Sequence, residues 1–238
     1  MTPLERQHDV LLAALRIVTT EGLGALTMQR LADDLQIGVG SLYRFFPSKG
    51  ALIAELQRES LDLVSTSLRL SQTHITELLE ARGVDDPQLA SVVRVVGAAR
   101  FWIGAEMVFP QEIELFRRLF TDPAATMDDE EGARVVPAAL RLLELARQAL
   151  DDAVEVGALA SGPNLERAVI LVAATTGVLM TSALARWDDA IFDGRRLAGV
   201  LVRDLLLGWG AAGAWLEPAD DLMAALAERG QLVPTIRR

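Results

Sequence analysis

Cysteine is absent from this 238-residue chain, which excludes a disulfide framework, a thiolate metal site and a cysteine nucleophile. Histidine is nearly absent: His8 and His74 fall in separate predicted helices, and neither has the i, i+4 partner of a helical metal site. No serine stands in a nucleophile elbow, and no Gly-rich loop precedes a Lys-Ser or Lys-Thr pair. The chain therefore reads as a non-enzyme with no metal and no cofactor. Asparagine, tyrosine and phenylalanine are scarce and Val/Ile/Thr alternation is lacking, whereas Ala, Leu, Arg and Glu dominate; this balance predicts an all-α fold. With 51% hydrophobic residues a folded core is expected rather than disorder. The N-terminus lacks the basic-then-apolar pattern of a signal peptide, so a cytoplasmic location is expected.

Lysine occurs once, at Lys49, and the single tyrosine, Tyr43, stands six positions before it. The net charge of -10 speaks at first against nucleic acid, because DNA affinity rests on Lys and Arg neutralising phosphates. Its distribution changes that reading. Residues 1–50 carry five basic side chains (Arg6, Arg16, Arg30, Arg44, Lys49) and five acidic ones (Glu5, Asp9, Glu21, Asp33, Asp34), so the whole deficit lies after residue 50. A neutral end on an acidic body would present that end to DNA, the body being repelled by phosphates.

Thr2-Pro3-Leu4-Glu5 is a capping-box pattern, and Val10, Leu11, Ala14, Leu15 and Val18 follow on one face, which predicts a helix over 3–21. Gly22 and Gly24 end it. Thr27 is placed to cap a second helix from Met28 to about Leu35, with Leu26 and Leu31 stapled across the cap. Gly38 marks a tight turn before a short third helix, Val39 to Phe46, which Pro47 stops. Ser48 caps a long fourth helix reaching Glu80, and Pro87 opens a fifth. Further breaks are expected at Phe109-Pro110, Asp122 to Gly132, Gly157 to Pro163, Asp188 to Gly194 and Glu217-Pro218, giving five or six more helices. The expected domains are 1–48 and 49–238.

Two short helices joined by a tight turn form the unit that places its second helix in a DNA major groove. Leu31, Ala32 and Leu35 supply an inner face to the first helix of the pair, and Leu42 with Phe45 or Phe46 supplies one to the second. Val39, Gly40, Ser41, Tyr43 and Arg44 are left to look outward. Small residues at the start of this helix allow close approach to base edges, while Tyr43, Arg44 and Lys49 can reach phosphates. The free backbone N–H groups opening the fourth helix at Lys49 favour an anion.

Leu12-Ala13-Ala14, Glu21-Gly22-Leu23, Ala25-Leu26-Thr27-Met28, Leu31-Ala32, Gly38-Val39-Gly40-Ser41-Leu42-Tyr43, Phe46-Pro47-Ser48-Lys49 and Ala51-Leu52 together resemble, in order and spacing, the signature of the TetR family of bacterial regulators. The resemblance covers about residues 10–56. It implies a three-helix DNA-binding domain, a larger helical domain for ligand binding and dimerisation, and a near-palindromic operator. By position, Thr27, Gln29, Val39, Gly40, Ser41, Tyr43 and Lys49 match places where family members touch DNA. Phe45 departs from the pattern, since family members often carry His or Tyr there; the polar phosphate contact is missing, or Arg44 replaces it.

Three further features carry weaker signals. Gly208-Trp209-Gly210-Ala211-Ala212-Gly213 matches a dinucleotide-binding pattern, but the 25 residues that follow hold Pro218 and Pro234 and are too few for a returning βαβ strand; a small-residue face between close helices is expected instead. Ala168 to Ala185 has no charge over 18 residues, yet it lacks flanking aromatic and basic belts, so a helix buried on several sides is expected rather than a membrane span. With the next helix, about Arg195 to Leu216, it would pair with its copy in a four-helix dimer interface. Phe101, Trp102, Glu106, Met107, Phe109, Phe116 and Phe120 concentrate bulky apolar groups around a lone acid, and Trp102, Glu106, Phe109, Phe116 and Thr176 are the candidate effector contacts.

The expected function is that of a ligand-responsive repressor whose partners are double-stranded operator DNA, an unidentified small-molecule effector and a second copy of itself, with no membrane. Two other classes stay open on the residues alone: a helical protein-interaction module, and an all-α enzyme acting on an apolar substrate.

Overall fold

The computed structural model describes residues 3–121 and 129–236. Among them ten α-helices and two 3₁₀ turns occur and no strand, as the composition requires. The helices are α1 (Pro3–Glu21), α2 (Met28–Asp34), α3 (Val39–Tyr43), α4 (Lys49–Ala81), α5 (Pro87–Val108), α6 (Pro110–Thr121), α7 (Asp129–Glu155), α8 (Asn164–Met180), α9 (Gly194–Gly208) and α10 (Gly213–Glu228). They sort into two compact units: Met1–Asp62 with Phe109–Ala139, and Leu63–Val108 with Leu140–Arg238. The Thr2 end of the predicted capping box and residues 122–128 of the predicted break lie outside the described residues.

In the first unit α1 buries Val10, Leu11, Ala14, Leu15 and Val18 against a core that includes Leu26, Leu31, Leu42, Phe46, Leu52 and Leu115. Each fully buried leucine of this kind contributes roughly 1.5–3 kcal/mol relative to exposure. Thr27 caps α2 as expected, its hydroxyl accepting from the Arg30 N–H at 3.0 Å, and the staple residues Leu26 and Leu31 are both fully buried.

The turn between α2 and α3 is made differently from the sequence expectation. Gly38 has an ordinary extended backbone, φ -68 and ψ 136, and serves as the N-cap of α3. The left-handed residue is Gln36, at φ 54. The Ile37 N–H reaches Ala32 O at 3.0 Å and the Gln36 N–H reaches Asp33 O at 3.2 Å, the paired bonds of a Schellman motif with glutamine where glycine is usual. Because an L residue is strained there, Gln36→Gly should raise stability by about 0.5–1 kcal/mol, less the backbone entropy that glycine costs, measured by urea unfolding. Helix α3 also stops at Tyr43 rather than Phe46: the Phe45 and Phe46 N–H groups both turn to Leu42 O at 2.9 Å, since the residue before Pro47 disfavours helix.

The second unit has its core on α5, whose Val92, Val93, Val95, Val96 and Phe101 are buried, with α10 and α8 packed on it. A Cβ on Gly97 would lie 2.3 Å from Ile75 Cδ1, so this glycine permits close approach of α4 to α5. The predicted helix from Arg195 to Leu216 is two helices. Gly210, at φ 99, breaks it in another Schellman turn, with the Gly210 N–H on Leu207 O at 3.0 Å and the Ala211 N–H on Leu206 O at 2.9 Å. The Gly-Trp-Gly run is thus a helix corner rather than a packed small-residue face. Pro218 interrupts nothing and lies inside α10, which buries Leu216, Ala219, Met223 and Leu226.

Within a single chain α8 also differs from expectation. It is buried on one side only, along Ala168, Leu171, Val172, Thr175 and Leu179, while Leu165, Val169, Ile170 and Met180 are exposed. By length and composition alone, Asn164–Leu184 could cross a membrane, and only 33% of its most apolar window is buried inside the protein.

Candidate DNA-binding site

The end of the first unit that carries α2 and α3 exposes its cations selectively. Arg16 is bound to Asp34, and Arg30 donates to Glu21 at 2.9 Å; this hydrogen bond, with the charge of the same carboxylate, holds the Arg30 pKa above its ordinary value. Such exposed pairs add little stability, but they cancel two of the five positive charges near α3. Arg6, Arg44 and Lys49 have no ion pair among the described residues.

The outward residues of α3 are graded by exposure. Gly40, Tyr43 and Arg44 are exposed, whereas Val39 and Ser41 are half-buried. No atom comes within 4 Å of a Cβ built on Gly40, so the surface there is open to a base edge. On the inner side Leu42 and Phe46 are buried, and Phe45 is the half-buried one of the two candidates. Two residues of α2 already have structural duties: Thr27 caps the helix, and Gln29 donates to Asp33 at 2.8 Å.

Beside α3 an open groove of about 470 Å³ is lined by Arg6, Asp9, Leu35, Ile37, Ser41 and Arg44. Sequence reasoning missed Arg6. Its only local signal was an unpaired charge on the first helix, and the fold alone brings it to the same groove as Arg44.

The start of α4 differs from expectation in what it holds. Ser48 does cap the helix, accepting from the Ala51 N–H at 2.8 Å, but its hydroxyl also donates to Glu131 Oε1 at 2.8 Å. The Glu131 side chain is buried, and a Cβ on Gly50 would lie 2.2 Å from its carboxylate oxygen. The anion that this helix end favours is therefore supplied by the chain itself. Glu131→Gln removes that charge, and random-sequence duplex binding should tighten by about twofold to fivefold, the effect of one charge at a helix end. An unchanged affinity in an anisotropy titration would show that no phosphate approaches there.

Residues 10–56 match the family model described as bacterial regulatory proteins, tetR family. Over that segment, which holds α2, α3 and the start of α4, the chain is similar to TetR-family transcriptional regulators. The chain is 29% identical over 143 residues, 56% of its length and 68% of the relative's, to the HTH-type transcriptional repressor KstR of Rhodococcus jostii RHA1. Its fold is that of a TetR-family regulator structure from Mesorhizobium loti, with TM-score 0.60 and 18% identity, covering 89% of this chain and 100% of that one. It also resembles the structure of RolR in complex with resorcinol, with TM-score 0.54 and 19% identity over 90% of this chain and 93% of that one.

The candidate effector residues fall in both units. Trp102 and Thr176 are brought together, the indole N–H donating to the Thr176 hydroxyl at 3.0 Å, and that hydroxyl in turn donates to Val172 O at 2.7 Å. Glu106 is half-buried in the same unit, while Met107 next to it is exposed. Phe109 and Phe116 are buried in the first unit, and the Phe120 side chain lies outside the described residues. Of the two histidines, His74 meets Gln231 O at 3.0 Å, a structural contact.

Proposed function

We propose that this chain is a TetR-family regulator, a cytoplasmic, ligand-responsive repressor and not an enzyme, that it binds a near-palindromic operator as a homodimer, and that a small-molecule effector releases it. In this reading residues 1–48 are the DNA-binding domain and 49–238 bind the effector and dimerise. The observation that carries it is the exposed face of α3 beside Arg44, Lys49 and Arg6, none of them paired with a carboxylate among the described residues. Gly40 and Ser41 read base edges; Tyr43, Arg44 and Lys49 hold phosphates; Thr27, Gln29 and Val39 complete the contact from either side of the turn.

Dimerisation is supported by an apolar stripe left open on one chain: Leu165, Val169, Gly177, Met180 and Leu184 on α8 and the turn after it, with Val200 on α9. An uncharged exposed stripe of this length marks an interface. Effector binding is supported by the resorcinol bound to RolR and by a small cavity lined by Trp102, whose indole donates to Thr176, and by Thr175. Since α4 contributes residues 49–62 to the first unit and 63–81 to the second, a change of its tilt would alter the spacing of two recognition helices that must dock about 34–36 Å apart.

Retention of the chain on DNA-cellulose at low salt and its elution by moderate salt is the expected result; free passage at low salt would remove the DNA reading. Sedimentation at micromolar concentration should show a dimer, and monomer alone would remove the interface.

A further inference from the structure

We propose, resting on the effector reading above, that the effector is an apolar acid: its carboxylate or phosphate is held by Arg69 and Arg94, and its apolar part enters the cavity beside Trp102. Two openings in the second unit share walls from α4, α5 and α7, and α8 adds a fourth wall to the inner one. The inner one is lined by Leu68 of α4, Ala98 and Trp102 of α5, Leu142 and Ala146 of α7, and Thr175 of α8. The outer one, an open groove of about 300 Å³, is lined by Arg69, Gln72, Arg94, Gln148 and Asp152 together with threonines of α4. From Leu68 to Gln72, from Ala98 to Arg94 and from Leu142 or Ala146 to Leu145 or Ala149, each wall steps by about one helical turn, roughly 5.4 Å. The apolar chamber thus lies about one helical turn from a polar groove, which in this proposal is its mouth.

The inner chamber has the marks of a ligand site rather than of a packing fault. It leaves about 20 Å³ free, room for one water. A water there would find few partners, because the lining is otherwise apolar and the Trp102 N–H is already given to Thr176. Yet the Thr175 hydroxyl, in a residue 1% exposed, has no hydrogen-bond partner. A buried hydroxyl left unmatched in an apolar wall is a cost to the closed chain, and tight packing alone does not account for it. Ala98, Ala99 and Ala146 are the small residues of a wall otherwise built from Leu68, Phe101, Trp102, Leu142, Leu171 and Val172, so a guest requires these helices to part.

The mouth sets the sign of the head group. Neither Arg69 nor Arg94 has a carboxylate partner among the described residues; Arg69 has only a long contact to Thr66, at 3.4 Å. Other arginines of this acidic chain are paired, Arg100 with Asp220 and Arg147 with Glu144 and Asp151 among them. Asp152 is the one acid lining the mouth, against two guanidinium groups and the neutral donors Gln72 and Gln148. Two planar forks facing one groove suit a carboxylate or phosphate, whereas a neutral head group leaves both unmatched.

The test is calorimetry of the full-length protein with decanoate and with decan-1-ol, which share an apolar chain and differ in the head. Decanoate should bind about tenfold tighter or better, the effect of charge-assisted hydrogen bonds, and Arg69→Gln with Arg94→Gln should abolish that preference while Arg69→Lys with Arg94→Lys retains part of it. Both arginines are on the surface, and circular dichroism checks that the variants fold. Equal affinity for the two probes, no binding of decanoate, or an unchanged decanoate affinity in the glutamine variant would overturn the proposal. Operator affinity is followed in parallel. Release by decan-1-ol alone rejects the acidic class and keeps the effector reading; decanoate binding through the arginines with no change in operator affinity keeps the anion site and rejects the effector reading.

Discussion

Ile170→Glu should convert the dimer to monomer and lower operator affinity by about 100-fold or more, because each half-site then binds alone instead of at the high effective concentration a tethered second copy provides. Ile170 is 46% exposed on α8 and flanks the stripe formed by Leu165, Val169 and Met180, so the substitution touches nothing in the core of a single chain. In the paired state the same glutamate would be buried against its own copy, two like charges in an apolar seam. Sedimentation velocity reads the first effect and anisotropy with labelled operator the second. Helicity should be unchanged. A variant that stays dimeric and binds normally would place the interface elsewhere.

Lys49→Ala should weaken binding to operator and to random duplex by similar factors, and should reduce the magnitude of the salt slope by about two per dimer, roughly one for each phosphate no longer neutralised. Lys49 is half-buried at the first position of α4 and has no ion pair among the described residues, so its charge is free for a phosphate. Arg44→Ala in the same chain should lower the slope by about two more. Substitution of Ser41 should act differently, changing which operator is preferred by about 1–3 kcal/mol per altered base contact with little change of slope. An unchanged salt slope in Lys49→Ala would remove the phosphate contact.

The helices of the candidate DNA-binding site were legible because their signals are local. Thr27 and Ser48 each cap the helix that follows within three residues, and Pro47 and Pro87 fix one end and one start through their rings alone. What the sequence hid depends on distant chain or on competition between weak rules. Glu131 reaches Ser48 across 83 residues, and no pattern near either marks the other. Gln36 carries a left-handed backbone without the glycine that normally announces it, because the two bonds of the Schellman turn and the burial of Ala32 and Leu42 on either side outweigh the strain. Pro218 suggested a break, yet the absence of one N–H bond costs less than the burial of Leu216, Met223 and Leu226 along α10 contributes. Trp102, Phe109 and Phe116 are close in sequence, yet the chain turns at Phe109-Pro110, and Trp102 belongs to the second unit while the two buried phenylalanines belong to the first.

That α3 reads a defined DNA sequence is the proposal on which effector control and dimeric binding both depend. It is tested most directly by titrating the intact protein, at about 0.15 M salt, with labelled duplexes tiling the region upstream of its own gene and with scrambled duplexes of equal composition. One near-palindromic segment with half-sites about 34–36 Å apart should bind at least about 10³-fold tighter than its scrambled control. Equal, weak affinity for every duplex would contradict the assignment of α3 as a recognition helix.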